Sequence, residues 1–129
     1  MDVRISFEGA TTEDDSYHLK NLARLIEEEC DCSVSIETRE AEVGIRDGGL
    51  AIGIAIASLV LTGIQTLVSV LQYWESQQSQ YSISITVDAN GQQKRFLMKN
   101  LSLKEIQSLL SEIDSQPHHG TVSVKILKQ

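Results

Sequence analysis

Apolar and polar residues alternate near both ends of the chain, and between them lies a long run with no charge. Val3, Ile5 and Phe7 fall on one side of the first alternation and Arg4, Ser6 and Glu8 on the other. That period of two predicts a strand over residues 3–8 with one wet face. A polar turn follows, in which Thr12 is a candidate N-cap and Glu13, Asp14 and Asp15 suit the positive end of a helix. Leu19, Leu22, Leu25 and Ile26 then recur at helical spacing, predicting an amphipathic helix over 15–29 that ends in Glu27, Glu28 and Glu29. Val34 and Ile36 open a second strand, and Ala41, Val43 and Ile45 continue it with the opposite parity. A change of parity exchanges the two faces, so a bulge or break is expected between Thr38 and Glu40.

Beyond residue 80, Tyr81, Ile83, Ile85 and Val87 alternate with Ser82, Ser84 and Thr86, and Asn90-Gly91 is a strong hairpin signal. Phe96 and Met98 mark the returning strand. Ser102 and Glu105 have the spacing of a capping box at the head of a helix that turns Leu103, Ile106, Leu109, Leu110 and Ile113 inward and stops before Pro117. Val122, Val124 and Ile126 form a last strand. The expected fold class is α/β (α+β): one domain over residues 1–129, with a mixed five-stranded sheet. The expected order is β-α-β, a long apolar helix, then β-β-α-β, with helices mainly on one face.

The central run, Gly48 to Trp74, reads as that long helix, over 48–76. Its uncharged length of about 27 residues corresponds to ~40 Å of helix, longer than the ~20 residues that cross a bilayer. Ser58, Thr62, Gln65, Ser69 and Gln72 are spaced four, three, four and three, making a narrow stripe of small or neutral polar side chains, with Leu59, Leu67, Val70 and Trp74 opposite. Such a stripe suits a helix packed on copies of itself, where it forms an interface or lines a pore. It equally suits a core helix with one wet side. The glutamines are costly in lipid, and the halves on either side are each too short to make a comfortable separate domain. Both points favour a helix held against a single sheet.

Charge is distributed unevenly. The net charge is −7, with −8 over residues 1–47 and +1 over 75–129. An acidic chain is a poor partner for the phosphate backbone, so no nucleic acid is expected. The basic cluster Lys94, Arg95, Lys99 and Lys104 could meet anionic lipid or the acidic first third of a neighbouring copy. Cys30 and Cys32, separated by one residue, are too close for an unstrained disulfide and point to a reducing, cytoplasmic setting. They lack further ligands at a zinc spacing, since His118 and His119 sit far along the chain. No nucleophile has a base at a recognisable spacing, and Gly48, Gly49 and Gly53 lack the lysine of a phosphate loop. These residues predict neither an enzyme nor a cofactor.

From Val3 to Asp114 the arrangement resembles the effector-associated constant component family of bacterial conflict, or antiphage, systems. The resemblance is carried by the opening Val-Arg-Ile-Ser-Phe-Glu-Gly strand, the acidic helix of about 15–29 and the Gly- and Ala-rich apolar segment 48–73. The Ser/Thr/Val strand, the hairpin at a glycine and the closing helix complete it. The chain departs from the family in having Glu75-Ser-Gln-Gln where an Arg-rich segment is expected. The resemblance implies a non-enzymatic accessory component, an adaptor coupled to a variable effector encoded nearby, such as a protease. Self-association through the apolar helix into a homo-oligomer is expected with it. The alternative is a pore-forming effector, conditionally associated with the inner membrane, whose helix is released when a partner protease cuts at Arg39 or Arg46.

Overall fold

A computed structural model describes residues 2–39, 50–89, 92–114 and 121–128. The elements are β1 (Asp2–Phe7), α1 (Glu13–Cys30), β2 (Val34–Arg39), β3 (Leu50–Ile56), α2 (Leu61–Gln77), β4 (Tyr81–Ala89), β5 (Gln92–Leu97), a 3-10 turn (Met98–Asn100), α3 (Leu103–Asp114) and β6 (Thr121–Lys128). They build a single six-stranded sheet in the order β2-β3-β1-β6-β4-β5. The central pair, β1 and β6, is parallel, and every other pairing is antiparallel.

The α/β class is as expected, with one strand more and a shorter central helix. Residues 48–76 do not form one long helix. Leu50–Ile56 is a strand between β2 and β1, and the helix begins only at Leu61. The physical reason is an alternation of size. Ile52, Ile54 and Ile56 alternate with Ala51, Gly53 and Ala55, a period of two hidden by the lack of polar residues. Ile54 and Ile56 pair with Ile5 and Val3 and are buried with them. The strand ends at a turn in which Ser58 takes a left-handed conformation (φ 57°) and its N–H donates to Asp2 Oδ1 at 3.0 Å.

Two three-stranded halves, β2-β3-β1 and β6-β4-β5, thus join along the β1–β6 pair, and α2 carries the chain from the first half to the second. Neither half closes a core alone. Leu19, Leu22 and Ile26 of α1, Leu67 and Leu71 of α2 and Leu109 of α3 pack with Val3, Ile5, Ile83, Ile85, Val124 and Ile126 of the sheet in one buried cluster. Thr12 caps α1 as expected, accepting from Asp15 N–H while the Asp15 carboxylate accepts from Thr12 N–H. Ser102 Oγ accepts from Glu105 N–H at the start of α3. The β2–β3 register shifts between Glu37 and Thr38, at the edge of the expected bulge. The Asn90-Gly91 turn lies outside the described residues, and the strands beside it pair with Ala89 opposite Gln92.

The second face of the sheet carries two continuous rows. One runs Glu37, Gly53, Ser6, Lys125, Ser84, Leu97, and the next Ser35, Ala55, Arg4, Ser123, Thr86, Arg95. Small residues on β3 let Arg4 reach across that strand to Glu37, at 2.9 Å. A Cβ at Gly53 would stand 2.9 Å from the Ile5 carbonyl oxygen and 3.6 Å from the Glu37 carboxylate, so glycine is required here by close approach.

Candidate functional site

α2 is amphipathic, and its apolar side is committed to the core. Ile64, Leu67, Val68, Leu71 and Trp74 are all buried, Trp74 stacking on Tyr81 at 5.3 Å between ring centroids. The opposite side carries most of the stripe seen in the sequence: Thr62, Gln65 and Ser69 are exposed. Gln72 is half-buried and turns toward a separate cleft of about 600 Å³, shared with Glu75, Ser79, Met98 and Lys99. Ser58 leaves the stripe altogether, because it sits in the β3–α2 turn. Two hydroxyls on this side close on the helix's own backbone. Ser69 Oγ donates to the Gln65 carbonyl at 3.3 Å and Thr66 Oγ1 to that of Thr62 at 3.2 Å. They are satisfied without a neighbouring helix. Of the two candidate cleavage points, Arg39 is the last residue of β2 and pairs with Leu50, and Arg46 lies outside the described residues.

Beside this outer side, α1 and α2 leave a groove of about 420 Å³, lined by Leu25, Glu29, Thr66, Ser69, Val70 and Tyr73. The helices run antiparallel here, Cys30 Sγ lying 3.9 Å from the Gly63 carbonyl oxygen. Tyr73 stands at the rim with 60% of its surface exposed. An exposed tyrosine beside small polar residues is the surface chemistry of protein contacts, offering a large amphipathic area with few torsions to freeze. Glu29 is the one carboxylate in the lining, and in the larger cleft the Glu75 carboxylate is committed to Ile83 N–H at 2.7 Å.

The strongest electrostatics lie elsewhere, where no motif in the sequence pointed. Asp15 is buried at the head of α1 and accepts from the Tyr81 hydroxyl at 2.7 Å, from Thr12 N–H at 2.9 Å and from the Lys128 ammonium. Burial alone would raise its pKa. The Lys128 ammonium, the Thr12 N–H and the Tyr81 hydroxyl outweigh that and hold it at about 2. Burial, with the Asp15 carboxylate second, drives the Tyr81 hydroxyl above the usual range. These residues tie α1, β4 and β6 together. The Tyr81 ring is packed against Phe7, His18 and Trp74, which marks the cluster as a structural tie. No sequence signal connects the three, because each reads locally as something else: a cap residue, a strand aromatic and a chain-end lysine.

Cys30 and Cys32 are free thiols, and Cys30 is pushed up to about 11, first by burial and then by Cys32 beside it. It is therefore a poor nucleophile. Among the described residues, no group of three or more His, Cys, Asp or Glu is placed to hold a metal, and no helix is long and apolar enough to cross a membrane. Compared with known protein families, characterised proteins and solved structures, the chain matches none.

Proposed function

We propose that the protein is a non-enzymatic adaptor of a bacterial conflict system, which couples a variable effector such as a protease to its trigger. The observation that carries this reading is the α1–α2 groove with Tyr73 exposed at its rim. It is a protein-contact surface in size and chemistry, without a set of groups that could perform a reaction. The contact is assigned to the outward side of α2, through Thr62, Gln65, Ser69 and Tyr73, because the apolar side is used by the core. A membrane-disrupting role would require β3 and α2 to leave the sheet, and no specific feature of either element favours that.

Co-purification with the product of a neighbouring effector gene tests the reading. Tyr73→Ala combined with Ser69→Arg is expected to cut recovery of the effector about tenfold, as loss of a contact anchor does. The thermal unfolding midpoint should stay near that of the parent chain. Undiminished recovery by the folded double variant would remove the groove from the account.

A further inference from the structure

The two thiols of the chain meet at one turn. Cys30 is the last residue of α1, and Asp31 after it takes a left-handed conformation (φ 49°, ψ 51°) that turns the backbone toward β2. Cys30 and Cys32 thereby come within hydrogen-bonding reach of each other. Both are half-buried and pack against the core. Asp31 and Ser33, on either side of Cys32, are exposed, so a small ion can reach the sulfur pair from solvent. The fixed charges acting on the pair are carboxylates: Glu29 on Cys30, and Glu27 and Asp31 on Cys32. Burial comes first in each case. The neighbouring thiol and Glu29 at Cys30, and Glu27 at Cys32, then push both thiols further up. Protonated thiols are poor nucleophiles and poor targets of oxidation. The same negative surroundings favour a cation that takes the place of the protons.

We propose that Cys30 and Cys32, brought together by the Asp31 turn, bind a soft monovalent metal ion, Cu(I), between their sulfurs. Thiolates are the ligands that soft ions select, and a filled-shell monovalent ion is satisfied by two of them. Zinc is the less suitable occupant. A structural zinc site takes four ligands, and among the described residues no group of three or more His, Cys, Asp or Glu is placed to hold a metal. On binding, two Cu–S bonds form, two S–H bonds break and both protons pass to solvent. The copper stays Cu(I) and no electron is transferred. The complex leaves one negative charge where a free dithiolate would leave two, so beside Glu27, Glu29 and Asp31 the pair gives up its protons to the metal more readily than to water. The ion closes the α1–β2 turn across its two ends. It uses no residue of the outward side of α2, so the site stands apart from effector docking.

Anaerobic titration of the reduced chain with Cu(I), in competition with the chromophoric Cu(I) chelator bathocuproine disulfonate, tests this directly. Each chain should withdraw one Cu(I) from the chelator. The thermal unfolding midpoint should rise as it does so, because the turn holds the sulfurs together only in the folded chain. X-ray absorption of the loaded chain should show copper bound to two sulfur atoms and nothing else. Cys30→Ser and Cys32→Ser should each lose the copper, and circular dichroism should show both variants folded as the parent chain is. Zn(II) at the same concentrations should leave the midpoint where it was. The proposal is overturned if the chelator keeps all the copper, if one copper is shared between two chains, or if copper binds without moving the midpoint. Nitrogen or oxygen bound to the copper, retention of copper by either folded serine variant, or an equal rise in midpoint with Zn(II) would overturn it as well.

Discussion

Replacing Asp15 with alanine is expected to lower the unfolding free energy by about 3 kcal/mol at neutral pH. The cap on α1 contributes about 1 kcal/mol of this, and the remainder comes from stranding the buried Tyr81 hydroxyl and separating Lys128 from its carboxylate. Tyr81→Phe, which removes the hydroxyl and leaves the carboxylate its other two donors, should cost only about 1 kcal/mol. The same site sets an acid limb. Its folded pKa of about 2 lies below the 3.8 of the unfolded chain. The stabilisation is therefore complete above 3.8 and lost as pH falls through about 2. Its size is about 2 kcal/mol, at 1.36 kcal/mol per unit. Urea unfolding of parent and Asp15→Asn chains as a function of pH measures both effects. The asparagine chain should be less stable at neutral pH and should lack this part of the acid dependence. An identical acid limb in the two chains would show that Asp15 is not held as described.

The second large effect is expected at Leu71, which is fully buried at the middle of α2. Leu71→Ala should cost about 3 kcal/mol, the transfer of the lost methylenes plus the cavity left behind. Gln65→Leu, six residues earlier on the exposed side of the same helix, should change stability by no more than about 0.5 kcal/mol. Denaturant midpoints of the two variants decide between a core helix and a helix that shows its apolar side to copies of itself or to lipid. In the latter case Leu71→Ala would be nearly silent in the isolated chain. The leucine variant at 65 would then be the one that changed behaviour.

Much of this architecture can be read from alternation. β1, β4 and β6 were legible because each buries Val, Ile or Tyr on the helix side and turns Ser, Arg or Lys to the other side. α1 was legible from its leucine spacing and from Thr12. β3 was not, because both its faces are apolar: Ile54 and Ile56 face the core, and Gly53 and Ala55 are small to let Arg4 cross to Glu37. A strand whose two sides differ only in bulk, running without a charge into an apolar helix, looks like the front of that helix. The junction is marked by one serine in a left-handed turn, with no proline or glycine there to signal it. The need for both halves in one sheet was readable from their lengths and is met by the β1–β6 pair.

The stripe shows what spacing can and cannot carry. Thr62, Gln65 and Ser69 share a face because the three-and-four spacing holds within α2, and Ser58 drops out because the helix starts later. Whether a polar stripe meets water, a partner or a pore depends on what the opposite side is packed against, and that is a property of the sheet. The Asp15, Tyr81 and Lys128 cluster lies beyond sequence patterns for the same reason. Its members come from three segments that only the β4–β6 pairing and the docking of α1 bring together.

That the uncharged run over residues 50–74 packs into one domain is the claim on which the rest depends, and Trp74 reports on it. It is the single tryptophan of the chain, 5% exposed and stacked on Tyr81. Its fluorescence should be that of an indole in apolar surroundings and resistant to acrylamide. It should not change when anionic vesicles made with brominated lipid are added. Quenching by the brominated chains would place Trp74 in the bilayer and contradict the account.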